Sequence, residues 1–237
     1  MSVTRVNLQP GYLIHQRAYR DTSALLEVLT RDYGRVGLVA RGARSARSRL
    51  RGILQPFRPL LLSWGGRGEL GTLAGLEPGG AAPPVTGASV FSGFYLNELV
   101  LRLLARQDPH PEMFEAYAEA LAALHGAGEE PALRLFEKRL LEALGYGLLL
   151  DAEADNGRPV DPRRLYLYHL ERGPVAVDRP QAGLSLPGRS LLALHAGVFE
   201  DAESLRDAKR LLKAALSLYL GDRPLKTRTV LRQLRRR

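Results

Sequence analysis

Pro78-Gly79-Gly80-Ala81-Ala82-Pro83-Pro84 places three prolines and two glycines in seven residues, too many for a helix or a strand to run through. The hydrophobic spacing differs on its two sides. Upstream, apolar residues fall in short extended runs separated by turn signals. Tyr12 to Arg17 alternates, Ala24 to Thr30 is rich in Leu and Val, and Arg35 to Arg41 follows the turn Asp32-Tyr33-Gly34. Ile53 to Trp64 and Leu70 to Leu76 flank Gly65-Gly66-Arg67-Gly68, which reads as a hairpin. Downstream the period becomes helical: Phe91, Phe94, Tyr95, Leu99, Leu103 and Leu104 form a stripe that stops at Asp108-Pro109.

Five short strands, with an arginine-rich excursion after the third, predict a small closed barrel of the oligonucleotide-binding (OB) type over residues 1–80. Residues 81–237 predict a mainly α-helical domain, so the fold class is α+β. Its second helix begins at Pro111, presents Phe114, Tyr117, Leu121 and Leu124, and ends at Gly126. The third starts near Pro131 and buries Leu133, Phe136, Leu140 and Leu144. Two more span about 188–196 and 203–220, the latter capped by Ser204 with Asp207, and a basic helix covers 224–234. Residues 147–185 read as a loop-rich, cysteine-free insertion with strands at 165–170 and 175–178.

The chain has no cysteine, which removes disulfides, thiolate metal sites, iron–sulfur clusters and cysteine nucleophiles. No run approaches the roughly 18 apolar residues of a membrane helix, and the opening residues lack the apolar core of a secretory signal. A cytoplasmic protein without membrane partners is the expectation. The net charge of +9 is local: residues 33–68 carry eight arginines and no acid, and residues 223–237 carry seven basic residues and no acid. Outside those stretches the chain sums to −6. Localised arginine is the footprint of a phosphate-backbone partner, because binding a polyanion releases its condensed counterions.

The densest segment runs from Arg41 to Arg51, with five arginines, two serines and no acid in eleven residues. It is too polar to pack, and arginine offers forked contacts to phosphate and a plane for stacking on bases. Arg35, Arg41, Arg44, Arg47, Arg49 and Arg51, with Lys226, Arg228 and Arg232 of the second basic stretch, are the candidate DNA-contacting residues. Base stacking needs exposed rings, and Tyr12, Tyr19, Tyr33, Phe57 and Trp64 are available, although most aromatics of a small barrel are core.

Several stretches, in order along nearly the whole chain, resemble the RecO family of DNA-repair proteins: Arg35-Val36-Gly37-Leu38-Val39-Ala40-Arg41-Gly42-Ala43-Arg44-Ser45, Leu54-Gln55-Pro56-Phe57-Arg58-Pro59-Leu60, Tyr95-Leu96-Asn97-Glu98-Leu99, the run from Phe136-Glu137 to Leu144-Gly145-Tyr146-Gly147, and Pro224-Leu225-Lys226-Thr227-Arg228. The resemblance implies a non-enzymatic mediator of recombinational repair. Such a protein binds single- and double-stranded DNA without sequence preference, anneals strands, and works beside RecR and the single-stranded DNA-binding protein SSB. It also implies a site for the acidic C-terminal tail of SSB, for which Arg134 and Lys138, with Leu141 one turn further along the same stripe beside the apolar Leu133, Phe136, Leu140 and Leu144, are the candidates; pairing of those bases with Glu130 and Glu142 is the competing reading. Many members carry a four-cysteine zinc site in the region matching 147–185. This chain has Asp151, Asp155 and Asn156 there and no thiolate, so no metal and no cofactor is expected.

Other readings of the residues are weaker. An OB protein that binds RNA fits the first domain equally well, and a metal-dependent nuclease would use Asp21, Glu27 and Asp32. Gly66-Arg67-Gly68-Glu69-Leu70-Gly71 matches GxGxxG, but extended sequence follows where a dinucleotide site needs a helix. No phosphate-binding GxxxxGK[ST] loop occurs, and the five histidines form no close pair. His125 and His195 suit helix C-termini. Asp151, Glu153 and Asp155 read as a solvated acidic loop in preference to a cation site.

Overall fold

The computed structural model describes residues 4–66, 68–124, 128–221, 223–227 and 229–230. Its strands and helices form two compact units, one comprising the chain up to Leu124 together with the segment from Pro224, the other His125–Arg223. The Pro/Gly stretch at 78–84 therefore marks where strands give way to helices, while two helices and the second basic segment group with the strands.

In the first unit, strands β1 (Thr4–Tyr19), β2 (Ser23–Thr30), β3 (Gly34–Ala40), β4 (Pro59–Gly66) and β5 (Leu70–Pro78), with the one-turn helix α1 (Leu50–Ile53) between β3 and β4, close a barrel in the order β1-β2-β3-β5-β4. This is an OB-type barrel. The 16-residue β1 closes it by serving two neighbours: Thr4 to Tyr12 pair with β4, and Gly11 to Tyr19 pair with β2. Register shifts at Val6/Gln9 and Leu13/His15 supply the bending that this double role requires. The seam opposite is a short parallel pairing of Gly37, Leu38 and Val39 with Leu70, Gly71 and Thr72. A Cβ on Gly71 would lie 2.9 Å from both Leu38 and Trp64, so glycine is what lets the seam close. Buried and less buried residues alternate along β4 and the first part of β2, and Val6, Leu13, Leu26, Val28, Leu38, Leu62 and Trp64 fill the interior.

Helices α2 (Ser89–Leu103) and α3 (Pro111–Ala123) belong to the same unit. Tyr12 of β1 packs against Phe114 and Tyr117 of α3, with ring centroids 5.3 and 5.1 Å apart. The buried Asn97 of α2 donates its amide to the Ile14 carbonyl (2.9 Å) and accepts from the Tyr117 hydroxyl, so one side chain ties α2 to both β1 and α3. Where the spacing predicts that α3 ends at Gly126, it ends at Ala123; His125 and Gly126 lie outside the described residues.

In the second unit, α4 (Glu129–Ala143), α5 (Gly188–Ala196) and α6 (Ala202–Leu220) accompany a three-stranded sheet of order β7-β6-β8, from β6 (Leu165–His169), β7 (Gly173–Val177) and β8 (Ser185–Pro187). The first two strands fall where the sequence predicts them. The cap of α6 differs from expectation: Asp201 accepts from the Ser204 N–H (2.6 Å), whereas Asp207 is buried and accepts from Ser190 (2.9 Å) and Arg210 (3.0 Å). Asp207 thus joins α5 to α6 instead of closing a capping box. Of the final helix expected over 224–234, Lys226, Thr227, Thr229 and Val230 are helical; residues 228 and 231–234 lie outside the described residues. Among the described residues no helix is long and apolar enough to cross a membrane.

Candidate nucleic-acid interface

The connection between β3 and β4 begins where Ala40 ends its strand, and its apolar residues decide which way it faces. Ala43, Leu54 and Phe57 are buried, pinning the loop at three points, while Arg41, Arg44, Arg47, Arg49 and Arg51 are exposed. Its inner end is held against the β1–β2 turn: the Arg44 N–H donates to the Thr22 carbonyl (2.8 Å), and the Arg44 guanidinium to those of Arg20 (3.2 Å) and Asp21 (3.4 Å). Arg41, Arg47, Arg49 and Arg51 have no ion-pair partner among the described residues. Two shallow clefts flank the loop. One, about 390 Å³, is lined by Tyr19, Arg20, Thr22, Arg41 and Thr72; the other, about 400 Å³, by Gln16, Arg17, Arg44 and Arg51. The result is a cationic surface on one side of the barrel with hydroxyls between the guanidinium groups, suited to a phosphodiester backbone.

Arg35 is placed differently. It is mostly buried in β3, donating to Glu27 (2.7 Å) and to the Leu104 carbonyl (3.1 Å), and Arg106 donates to the same Glu27 carboxylate. It ties the barrel to the end of α2. Glu27 is thereby occupied by two arginines, and Asp32 accepts from Gln9 (3.0 Å); with Asp21 these are the acids a nuclease would need. Among the described residues no three metal-ligating side chains converge. Of the five candidate stacking rings, Tyr12, Phe57 and Trp64 are buried. Tyr33 is 39% exposed with its edge against Trp64, and Tyr19 keeps part of its ring open with the Arg20 guanidinium 5.2 Å from its centroid.

In the second basic stretch Lys226 is exposed, while Arg228 and Arg232 lie outside the described residues. Residue-by-residue reading passes over Glu98. Its carboxylate accepts from the N–H groups of Lys226 (2.7 Å) and Thr227 (3.0 Å) and from the Thr227 hydroxyl (2.8 Å).

On α4, the open cationic edge predicted from the sequence is an interior one. The Arg134 side chain is 4% exposed, bonded to the buried Glu137 (2.7 Å) and 3.7 Å from Glu130, and Leu141 is fully buried. Lys138 donates to the His195 carbonyl (2.8 Å) and lies 3.6 Å from Glu142. The i,i+4 pairs of the competing reading are therefore both present. Of the three acids read as a solvated loop at 151–155, Asp151 and Asp155 are exposed and Glu153 is not. Glu153 is buried, accepting from Asn156 (2.8 Å), Tyr166 (3.0 Å) and Arg164 (3.3 Å), and Asp155 pairs with Arg172. The Asn156 hydrogen bond foremost, then those of Tyr166 and the nearby arginines, holds the Glu153 carboxyl below its ordinary value against the opposing effect of burial.

Two family profiles account for almost all of the chain: "Recombination protein O N terminal" over residues 1–80 and "Recombination protein O C terminal" over 87–229. The chain belongs to the RecO family. It is 53% identical to the RecO DNA repair protein of Alkalilimnicola ehrlichii, across all of this chain and 95% of that one. Identity to the RecO proteins of Nitrosococcus oceani and Aromatoleum aromaticum is 50% and 46%, covering 98% and 97% of this chain and 95% and 97% of theirs. The barrel is the RecO N-terminal domain, and a role in DNA repair follows from the family.

Proposed function

We propose that this protein is a non-enzymatic mediator of recombinational repair that holds single- and double-stranded DNA by the backbone, anneals complementary strands, and acts with RecR and SSB to help load recombinase. The observation that carries the reading is the exposed, acid-free arginine loop pinned to one side of an OB barrel. The residues proposed to meet the phosphates are Arg41, Arg44, Arg47, Arg49 and Arg51, joined by Lys226, Arg228 and Arg232; Arg35, engaged by Glu27 and the Leu104 carbonyl, is left out of the set. Interactions of this kind position a strand without reading its bases, and a backbone-held strand leaves its bases free to pair. The acidic tail of SSB is assigned to the second unit at α4, where Lys138, with 19% of its side chain exposed, is the accessible cation of the three candidates, Arg134 and Leu141 being buried.

The test is a salt series of DNA binding. Replacing Arg44, Arg47 and Arg49 together by Ala is expected to weaken binding to every sequence alike and to lower the slope of log K against log salt by about 0.7 for each single-strand phosphate that is no longer neutralised. A parental slope in that variant refutes the assignment.

A further inference from the structure

We infer that the free edge of β1 over residues 15–19 is a docking site for an extended acidic peptide, which adds a strand to the barrel beside the arginine loop. The 16-residue β1 has a neighbour on both edges over only part of its length. Its pairing with β4 stops at Tyr12, opposite Pro59, whereas its pairing with β2 continues to Tyr19. Pro59 is the first residue of β4 and has no N–H with which to extend the ladder; just before it the chain turns at Phe57, whose φ is +67°. Beyond the end of that ladder Asn97 takes the Ile14 carbonyl. From there to Tyr19 the main chain makes no hydrogen bond, apart from the β2 ladder, among the described residues. His15, Gln16, Arg17 and Ala18 are all exposed.

The cleft of about 400 Å³ described above lies along this edge: Gln16, Arg17 and Ala18 of β1 line it together with Arg44 and Arg51 of the loop, and no acidic side chain does. An unpaired strand edge offers main-chain donors and acceptors in series, which another extended chain satisfies. Residues 15–19 span about 16 Å, at about 3.3 Å per residue, enough for a short added strand. Charge selects the occupant. Arg17 and Arg51 have no ion-pair partner among the described residues; with Arg44 they make two copies of this chain repel one another at the edge and attract a strand that carries carboxylates. Side chains of an added strand alternate between the two faces of the sheet, so its carboxylates reach Arg17 as well as Arg44 and Arg51. A nucleic-acid strand would engage the arginines but leave the series of main-chain groups unpaired. The inference does not depend on DNA binding, although the two readings share Arg44 and Arg51.

The probe is a labelled short peptide alternating threonine and glutamate, titrated against the full-length protein by fluorescence anisotropy. Its control is the same peptide N-methylated throughout, which keeps every charge but has no N–H to pair. The control is expected to bind at least about tenfold more weakly, the equivalent of one or two strand hydrogen bonds. Arg17→Ala and Arg51→Ala are each expected to weaken the unmodified peptide about tenfold, as for one charge-assisted hydrogen bond. Both side chains are exposed, so neither change disturbs packing. Hydrogen exchange supplies the second readout: amides of residues 15–19 that exchange fast in the free protein are expected to become protected by the unmodified peptide and not by the control. Absence of binding by the unmodified peptide, equal binding by the two peptides, parental affinity in both arginine variants, or unchanged exchange at residues 15–19 overturns the inference. So does equal protection of those amides by an oligothymidylate, which would make the cleft a nucleic-acid groove.

Discussion

Removing the Tyr117 hydroxyl tests whether the helices of the first unit are joined to the barrel by a polar network or merely packed on it. Tyr117 is wholly buried and Asn97 is 3% exposed, so neither group regains water when its partner is deleted. Tyr117→Phe takes the donor from the Asn97 carbonyl oxygen, at a cost of about 1–3 kcal/mol for a buried acceptor left without it. Asn97→Ala takes the acceptor from the Tyr117 hydroxyl and the donor from the Ile14 carbonyl. Two such losses amount to about 2–6 kcal/mol. Once Asn97 is gone its bond to the hydroxyl is already lost, so Tyr117→Phe in that background costs less than it does alone, with a coupling of about 1–2 kcal/mol. Urea unfolding followed by the fluorescence of Trp64, the sole tryptophan and a barrel core residue, reports on this unit. Additivity of the two substitutions within about 0.5 kcal/mol refutes the reasoning.

Breaking the buried Arg134–Glu137 pair from one side, by Arg134→Met, is expected to destabilise the protein by about 3–5 kcal/mol in urea titrations, and the double change Arg134→Met with Glu137→Leu by much less. A peptide-binding defect of Arg134 variants therefore counts toward an SSB-tail site only where circular dichroism shows the fold intact, and Lys138→Ala is the cleaner probe. Because the folded Glu153 carboxyl sits below its ordinary value of 4.5, its stabilising contribution is complete above that pH and is lost as pH falls through the lower folded value; Glu153→Gln is expected to flatten this part of the acid-unfolding curve. Gly34→Ala should cost at least about 2 kcal/mol by thermal melting, since φ is +63° and the new Cβ would lie 2.1 Å from the Asp108 carbonyl oxygen, a backbone atom that side-chain repacking cannot move aside.

Period and punctuation make most of the elements readable from the residues, because strands and helices bury one face at spacings the chain must show. What they miss is non-local. Pro10-Gly11 looks like a break, yet β1 runs from Thr4 straight through it, because that is where the strand passes from one neighbour to the other. The parallel β3–β5 seam has no local signature, since its partners, such as Gly37 and Leu70, are distant in sequence. The arginine loop is plain because a run of like charges without apolar spacing does not pack. Arg35 and Arg134 mislead for the opposite reason: each sits among apolar residues whose burial takes it along. For Arg134 the sign is present, as Arg134, Glu137 and Leu141 lie three and seven positions apart on one helical face. Glu98 gives none, its partners being 128 and 129 residues downstream.

The first unit is discontinuous, with about 100 residues of the second unit lying between Leu124 and Pro224, and this sets an order on biosynthesis. The barrel, α2 and α3 emerge early, but Glu98 then waits for its partners while the whole second unit is translated, about 5–20 s at ordinary elongation rates. For that interval the nascent chain displays the loop arginines without the second basic stretch. A chain cut short within the second unit therefore carries the eight arginines of residues 33–68 without the seven basic residues of 223–237, and on the DNA-binding reading proposed above it would hold DNA more weakly than the full-length protein.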